Sequence, residues 1–209
     1  MDNKRKVPDQ TLIRLSYYLR AINYFLNKNK EVISSEEFAD FLNISSHQLR
    51  KDLSYFGQFG RKGVGYNLRF LKKKIQDILG LNRTWNACVV GFGNLAKAIS
   101  FYKGFKEQGV VIKAAFDIDK KKQNRNYGEV KVFPLDKMRE VIKRESIKIG
   151  IITVPEGEAQ KTAERLMRYG IKAILNFAPV KLNLPSYMMI KDVDLSCQFS
   201  CLTYHLKNK

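Results

Sequence analysis

The sequence predicts an α/β protein of two domains, in which a small helical domain precedes a parallel sheet covered by helices. Two observations support this prediction. In the first 80 residues, two short amphipathic helices follow each other within three residues. From Asn86 onward, apolar runs of strand length alternate with amphipathic helical stretches. A chain of 209 residues with 44% hydrophobic side chains fits one large or two small domains that each bury a core.

The composition favours a polyanionic partner. The chain contains 38 Lys and Arg against 20 Asp and Glu, a formal net charge of +18 at pH 7. Clustered cations release condensed counterions when they meet phosphates, so nucleic acid is the first expectation. The basic residues are spread over both predicted domains, however, and net charge therefore does not locate the binding surface.

The cysteine content and the lengths of the apolar runs indicate where in the cell the protein is expected. The three cysteines form no even framework, and the first residues lack the apolar stretch of a signal peptide. No apolar run approaches the roughly 18 residues that span a bilayer. We therefore expect a soluble cytoplasmic protein with reduced thiols and no membrane partner.

The first domain begins with a long helix and two short ones. From Pro8 onward, apolar residues recur at spacings of three and four, which predicts one buried helix face: Leu12, Leu15, Leu19, Ile22 and Leu26. Ser34 and Glu37 form a capping box that starts a short helix with Phe38, Phe41 and Leu42 inward, ending near Asn43. Ser45 and Gln48 form a second box directly afterward. This tight succession predicts a helix-turn-helix motif.

The second short helix has two different faces. Leu49, Leu53 and Phe56 fall on one side and are expected to face the core. The opposite, polar side is of the kind that a DNA major groove accepts. Its predicted phosphate contacts are Arg50, Lys51 and Tyr55, and its predicted base-edge contacts are His47, Gln48 and Ser54.

A glycine-rich segment follows this helix. Between Gly57 and Tyr66, glycines supply turn geometry for two short segments, with Arg61 and Lys62 at the tip as predicted phosphate contacts. We interpret the segment as a wing. An amphipathic helix from Leu68 to Leu79 closes the module, and Gly80 ends it. Residues 1–80 are thus predicted to form a winged-helix DNA-binding domain.

The second domain, residues 81–190, is predicted to be a doubly wound parallel sheet. Its expected buried strands are Ala87 to Val90, Val110 to Phe116, Ile147 to Val154 and Ile171 to Leu175. Glu158 to Tyr169 is one of the amphipathic helices between them. Residues 191–209 form a last helix with an apolar stripe that requires a covering surface: Leu195, Phe199, Leu202 and Leu206.

A glycine loop joins the first of these strands to the following helix. The segment matches G-x-G-x-x-G/A, the pattern of a Rossmann-like dinucleotide site: Gly91, Phe92, Gly93, Asn94, Leu95 and Ala96. The first glycine permits the turn, and the second lets backbone amides approach a pyrophosphate at the helix N-terminus. The sequence therefore predicts nucleotide binding, with a helix-packing turn as the simpler alternative.

Asp117 ends the second strand and is predicted to bind the ribose. It lies 26 residues after Gly91, somewhat past the roughly 20 expected for the acid that accepts a ribose hydroxyl bond, and Asp119 is a second candidate. An acidic residue here favours NAD(H), because it would repel a 2′-phosphate. The basic run from Lys120 to Lys122 could instead attract that phosphate.

The sequence favours binding over catalysis. Only His47 and His205 are histidines, and neither follows a sheet strand where a hydride-transfer acid or base is expected. No Cys/His metal spacing, Ser/His/Asp arrangement or paired-carboxylate site stands out, so no metal is expected. Cys197 and Cys201 lie one helical turn apart and are interpreted as packing residues, with a redox or intersubunit role as the alternative.

In several tracts the chain resembles the Rex family of bacterial redox-sensing transcriptional repressors. The resembling tracts, which span nearly the whole chain in order, are Leu49 to Gly57, Gly63 to Tyr66, Val90 to Leu95, Ala115 to Asp117, Thr153 to Pro155 and Leu175 to Pro179. The resemblance implies a homodimer with winged-helix domains, NAD(H)-binding Rossmann domains and a C-terminal helix exchanged between subunits. It also implies repression that ends when NADH rises relative to NAD⁺ and releases the dimer from a palindromic double-stranded DNA operator.

The same resemblance assigns three further residues. Tyr102 is expected near the nicotinamide, and Arg20 and Asp194 are expected to couple the ligand site to the DNA-binding domains, as is Tyr102. The chain departs from the family pattern at Ala96, where many members have glycine, and at Lys120, where a proline is common. The tail from Cys197 to Cys201 also differs.

Two other functions remain open from the sequence. One is an NAD-dependent oxidoreductase with a basic N-terminal appendage. The other is a winged-helix regulator whose second domain binds another nucleotide, such as a coenzyme A derivative. Turnover of NADH with a substrate would distinguish the first, and a ligand titration would distinguish the second.

Overall fold

In a computed structural model that describes residues 7–61 and 63–208, the chain divides into two compact units. The first unit ends at Arg83 and the second begins at Thr84. The break lies three residues beyond the end of the predicted first domain, because Leu81 still packs against the core of the first unit.

The first unit is a helix-turn-helix followed by a wing. Its elements are α1 (Asp9–Asn27), β1 (Val32–Ile33), α2 (Ser35–Phe41), α3 (Ser46–Ser54), β2 (Gly60–Arg61), β3 (Gly65–Asn67) and α4 (Leu68–Leu79). The three strands form an antiparallel sheet in the order β1-β3-β2. The predicted winged-helix architecture is therefore the observed one.

The core of this unit comes from the apolar faces that the periodicity predicts. The fully buried side chains include Leu15, Ile22, Phe38, Leu49, Leu71 and Ile75. Phe41 was predicted to face inward, but 47% of it is exposed. It lies in the last turn of α2 and stacks on Tyr24 of α1, with ring centroids 4.8 Å apart.

Side-chain caps begin both short helices, as predicted. Ser34 Oγ accepts a hydrogen bond from the Glu37 backbone N–H at 3.1 Å, and Ser45 Oγ accepts one from Gln48 at the same distance. The reciprocal half of each capping box is absent from the described contacts. Glu37 instead pairs with Lys30, and the Gln48 amide donates to Asp52.

The second unit is a seven-stranded sheet with helices between its strands. Its elements are β4 (Trp85–Val90), α5 (Asn94–Phe101), α6 (Lys103–Glu107), β5 (Val110–Phe116), β6 (Asn126–Tyr127), β7 (Val130–Phe133), a 3₁₀ turn (Leu135–Lys137), α7 (Met138–Arg144), β8 (Ile149–Ile152), α8 (Glu156–Arg168), β9 (Ala173–Asn176), β10 (Met189–Asp192) and α9 (Leu195–Lys207).

The strand order of this sheet is β10-β9-β8-β4-β5-β7-β6. Every pair is parallel except β6 with β7, an antiparallel hairpin at one edge. The chain runs outward from β4 in one direction through β5 and β7, and in the other from β8 to β10. The order therefore reverses between β4 and β8, where doubly wound sheets bind ligands beyond the carboxyl ends of the strands.

Three strands of this sheet were missed from the sequence. β6, β7 and β10 have two to four residues each and lack a long apolar run. β10 also crosses residue 190, where the sheet domain was predicted to end, because Met189–Asp192 pairs in parallel with Ala173–Asn176. The last helix accordingly begins at Leu195.

The apolar stripe on α9 is exposed. Leu195, Phe199, Leu202 and Leu206 are each 58% or more accessible in the single chain. In residues 7–61 and 63–208, none of the helices has both the length and the apolar character that a membrane span requires.

Candidate functional site

The polar face of α3 presents most of its predicted DNA contacts to solvent. His47, Arg50, Lys51 and Ser54 are exposed, whereas Leu49 and Leu53 on the opposite side are buried. Gln48 and Tyr55 are half-buried at the flank of this face. The structure thus brings the predicted residues together on one surface of the second helix of the helix-turn-helix.

Two of these residues have local partners. Arg50 Nη1 lies 3.7 Å from the Glu36 carboxylate of α2, and both side chains are at least half exposed. Such a surface pair contributes little to stability, so the guanidinium can turn toward a phosphate at small cost. The Ser54 hydroxyl donates to the Lys51 carbonyl at 2.8 Å, which leaves its lone pairs as the outward-facing group.

The wing lies beside this helix. Gly65 has φ +94°, and a Cβ atom there would lie 2.2 Å from the Ile33 carbonyl oxygen, so the pairing of β3 with β1 requires glycine. Arg61 at the end of β2 is exposed, and Lys62 lies outside the described residues. A cavity of about 640 Å³ separates wing and helix, lined by Arg50, Ser54 and Arg61 among others.

Sequence reasoning missed a buried carboxylate on the inner side of α3. Asp52 is 1% exposed, and within the described residues it accepts five side-chain hydrogen bonds. The donors are Thr11 at 3.0 Å, Arg14 at 2.5 and 2.8 Å, Tyr18 at 2.7 Å and Gln48 at 2.9 Å. Three of these donors lie on α1, so the carboxylate joins α3 to α1.

The electrostatics keep this carboxylate ionised. Burial alone would raise the pKa of Asp52, but the hydrogen bonds from Arg14, Tyr18 and Thr11 and the Arg14 charge lower it below its usual value. Burial and the hydrogen bond to Asp52 both raise the pKa of Tyr18, which therefore stays a donor. A buried, paired charge of this kind fixes the position of α3 on α1.

The glycine loop of the second unit lies at the reversal point of the sheet. Gly91 follows β4 with φ +89°, and a Cβ atom there would lie 2.8 Å from the Thr153 carbonyl oxygen. The Thr153 hydroxyl lies next to this loop, 3.0 Å from the Val90 carbonyl oxygen and 2.8 Å from the Gly91 carbonyl oxygen. Thr153 thus positions the loop from the end of β8, and the sequence indicated it only as part of a family tract.

Gly93, unlike Gly91, has open space where a side chain would lie. Its φ is −84°, and no described atom lies within 4 Å of an added Cβ atom. It directly precedes α5, whose first N–H groups have no intrahelical acceptors. Ala96 is fully buried on the same helix. The loop therefore offers exposed backbone donors beside open space, which is the geometry that a pyrophosphate requires.

One of the predicted loop contacts needs correction. The Phe92 N–H donates to the Asp117 carboxylate at 2.6 Å, and its fully buried ring packs against Tyr127. Phe92 therefore supports the loop and cannot offer its amide to a phosphate. The Asn94 and Leu95 side chains are exposed, and both residues lie in the first turn of α5, where the backbone contacts were predicted.

Asp117 follows β5, and its carboxylate already accepts three bonds. Oδ2 accepts from the Phe92 N–H and from Lys122 Nζ at 3.1 Å, and Oδ1 accepts from the Asp119 N–H at 2.8 Å. Burial alone would raise the pKa of Asp117, but these hydrogen bonds lower it. The group is thus a charged acceptor beside the glycine loop, with Lys122 bound to one of its two oxygens.

The second acidic candidate has a local role. Asp119 Oδ1 accepts a hydrogen bond from the Lys121 N–H at 2.9 Å, which closes the turn after β5. Its Oδ2 lies 3.8 Å from Lys122 Nζ. Of the basic run, Lys120 and Lys121 are exposed and only Lys122 approaches Asp117.

The three residues that the resemblance assigns to signalling lie on different elements. Tyr102 ends α5, is 59% exposed and packs edge-on against Phe105. Arg20 lies on the exposed face of α1, with its guanidinium 5.9 Å from the Tyr17 ring centroid. Asp194 caps α9 by accepting from the Ser196 N–H at 2.8 Å.

The described residues contain no group of three or more His, Cys, Asp or Glu side chains that could bind a metal ion. Cys197 Sγ lies 3.3 Å from the Asp194 carboxylate, and this neighbour raises the pKa of the thiol.

Comparisons with known proteins agree with this arrangement. Residues 6–54 match a family described as the N-terminus of putative DNA-binding proteins, and residues 82–180 match the CoA binding domain family. The chain is 44% identical over 202 residues to a redox-sensing transcriptional repressor Rex from Carboxydothermus hydrogenoformans, covering 97% of both. It is also 44% identical to a Rex protein of Desulfitobacterium hafniense, covering 96% of both.

Three solved structures of a Rex-family repressor called RSP are also similar. The structure of RSP with β-NAD⁺ and operator DNA matches with a TM-score of 0.92 and 36% identity, over 97% of this chain and 93% of RSP. The structure of RSP alone gives 0.89, with 35% identity over 97% and 94% of the two chains. The structure with β-NADH gives 0.88, with 34% identity over 97% and 95%.

Proposed function

The chain belongs to the Rex family of redox-sensing transcriptional repressors, and from this premise we propose that its first unit binds operator DNA while its second binds NAD(H). In this proposal NADH releases the protein from a palindromic operator. The observation that carries it is the open space at Gly93 beside the Asp117 carboxylate, at the reversal point of the sheet.

The residues at this point fit a dinucleotide. Backbone amides at the start of α5 would bind the pyrophosphate, and Asp117 would accept a hydroxyl of the adenosine ribose. Tyr102 would lie near the nicotinamide, as the family resemblance implies. The bound group would supply a ring that is cationic when oxidised and neutral when reduced, which is the difference that a sensor needs.

The DNA contacts belong to two classes. Lys51, Arg50, Tyr55 and Arg61 would bind phosphates, and the same is proposed for Lys62. His47 and Ser54 would contact base edges from the exposed face of α3. Two such helices in a dimer would enter successive major grooves one helical turn apart, which accounts for a palindromic operator.

Ligand and operator would exclude each other through their preferred conformations. If NADH binds best to a dimer whose α3 helices are wrongly spaced, it must weaken DNA binding, and DNA must weaken NADH binding equally. A change from mostly bound to mostly released requires a differential affinity of about 10⁴, or about 5.5 kcal/mol, shared over the sites. Arg20, Tyr102 and Asp194 are proposed to transmit this difference.

The proposed assembly is a homodimer that acts in the cytoplasm. The exposed stripe on α9 would be covered by a second copy, in line with the helix exchange that the resemblance implies. A regulator of genes has to reach the chromosome, which supports the proposed compartment.

We propose no catalytic activity. The alternative of an NAD-dependent oxidoreductase predicts turnover when the protein is incubated with NADH and candidate substrates, whereas a sensor binds NADH stoichiometrically without consuming it. The match of residues 82–180 to the CoA binding domain family favours one further ligand class, a coenzyme A derivative. Competition between such a compound and NADH in a titration tests this second candidate.

The decisive experiment measures operator binding by mobility shift across NADH:NAD⁺ ratios. We expect the bound fraction to fall as the ratio rises at constant total dinucleotide. A protein that stays on its operator in saturating NADH is not a sensor of this kind, whatever its fold.

A further inference from the structure

The amide of Gln48 has only one stable orientation. Its Nε2 donates to Asp52 Oδ1 at 2.9 Å, and that carboxylate is buried and ionised, so it can accept hydrogen bonds but not donate them. Turning the amide over would place Oε1 against the carboxylate and lose the bond. The usual freedom of a glutamine to present either end of its amide is therefore removed here.

The outward end of this amide is a hydrogen-bond acceptor. Within the described residues, no donor binds Oε1 of Gln48, and the side chain is half-buried at the flank of the polar face of α3. Gln48 is the third residue of α3, after the Ser45 cap. The first turns of such helices are the part that contacts base edges in the major groove.

We propose that Gln48 determines specificity at one base pair of each half-site, where Oε1 accepts a hydrogen bond from the exocyclic amine of adenine or cytosine. The major-groove edges of thymine and guanine present carbonyl oxygens in place of this amine, and an acceptor facing an acceptor gains no bond. Asp52 is the positioning residue, since its buried carboxylate sets which end of the amide faces outward. This inference rests on the proposed DNA-binding function.

The test removes single amines from the DNA. A high-affinity duplex is first selected from a random pool by the full-length protein. Each adenine is then replaced in turn by purine, which lacks N6, and each cytosine by the pyrimidinone that lacks N4. Affinities are measured for the wild-type protein, for Gln48→Met and for Gln76→Met, a matched change on α4 away from the proposed contact surface.

We expect that one amine in each half-site matters. Its removal should lower the DNA affinity of the wild-type protein and of Gln76→Met by about tenfold, a typical value for one base contact. Gln48→Met should lose less than about twofold at the same position, because its contact is already gone. The inference is overturned if Gln48→Met still discriminates at every amine, or if it weakens binding to all duplexes equally. If the wild-type protein selects no duplex, the proposed function itself fails.

A second variant tests the role of Asp52. In Asp52→Asn, the side chain at position 52 carries both a donor and an acceptor, so Gln48 can turn over and present its amide nitrogen. We expect the preference at the same base pair to relax toward guanine or thymine. An unchanged preference in a variant that remains folded by circular dichroism overturns the positioning role. If the variant unfolds, the Gln48→Met measurement still decides the specificity proposal.

Discussion

The Arg14 guanidinium and the Asp52 carboxylate form two hydrogen bonds, of 2.5 and 2.8 Å, across the interface between α1 and α3. The acid is 1% exposed, whereas about a quarter of the arginine side chain is accessible. Removing one partner of a buried pair leaves an uncompensated charge, which makes this contact a sensitive point of the DNA-binding unit.

We predict that Arg14→Met lowers the free energy of unfolding of the first unit by about 3 kcal/mol at pH 7. The low pKa of Asp52 means that its ionised form is favoured by folding. Its contribution is thus complete above the usual carboxyl pKa and is lost as the pH falls through the lower folded-state value. The difference between variant and wild type should shrink in acid. Denaturant titrations at pH 7 and pH 3 measure this, with Asp40→Asn, an exposed change on α2 of the same unit, as the control that should leave the difference unchanged.

The two loop glycines should respond differently to substitution. Gly93→Val should fold normally, because the Cβ position is empty and φ is negative, but it should weaken NADH binding by at least about tenfold, since the side chain enters the phosphate space. Gly91→Ala should instead destabilise the second unit by at least about 1 kcal/mol, because of its positive φ and its closeness to Thr153. Thermal unfolding with fluorescence titration of NADH separates the effects. Normal NADH binding by Gly93→Val would show that the loop is not part of the ligand site.

Lys122 should limit the affinity for NAD(H). Its ammonium occupies an acceptor position on Asp117, so it competes with a ribose hydroxyl for that carboxylate. Lys122→Met is therefore expected to tighten NADH binding on the order of tenfold and to weaken any binding of NADPH, since one of the cations that could meet a 2′-phosphate is gone. Calorimetric titration with both dinucleotides measures this. The exposed neighbour Lys120→Met serves as control, and weaker NADH binding by Lys122→Met would contradict the prediction.

Lys51 should contribute to DNA affinity without specificity. We expect Lys51→Ala to weaken binding to operator and to unrelated duplexes by similar factors, and to reduce the slope of log K against log salt by about 2, since each subunit of the dimer loses about one phosphate contact. Fluorescence anisotropy over a series of salt concentrations gives both values. Lys143→Ala, an exposed change on α7, should leave the slope unchanged. An unaltered slope for Lys51→Ala would exclude Lys51 from the phosphate contacts.

The stripe on α9 should determine assembly. Leu202 is 58% exposed in the single chain, and an aspartate there would bring an unpaired charge into the proposed dimer contact. Leu202→Asp is expected to weaken dimerisation at least about tenfold, as measured by sedimentation velocity. Ser200→Asp, on the polar side of the same helix, should leave the sedimentation coefficient unchanged. Equal dimerisation of both variants would show that the stripe is not the contact.

Local sequence determined the features whose causes lie within a few residues. Ser34 and Ser45 begin helices because their hydroxyls reach an N–H three residues later. Val110–Phe116 was predicted with its observed bounds, since a run that is apolar except for Lys113 fits a largely buried strand. Gly91 and Gly93 stood out because only a few residue types fit a phosphate loop.

Other features depend on residues that are distant in sequence. The role of Asp52 was not predicted, because its partners Thr11 and Arg14 are 41 and 38 positions away. Likewise the Phe92 amide was assigned to a phosphate, but it donates to Asp117, 25 residues later. Strands β6, β7 and β10 escaped detection because pairing with neighbouring strands stabilises segments too short to show a periodic pattern.

The sequence by itself determined the two kinds of domain, the starts of α2 and α3 and the position of the glycine loop, because caps, periodicity and glycine geometry act locally. Only the tertiary structure decided which polar groups are already bonded, and therefore which atoms remain for a ligand or a base. Each polar group can donate or accept only a few hydrogen bonds. A partner that folding brings close therefore changes which further bonds Asp117, Phe92 and Gln48 can form.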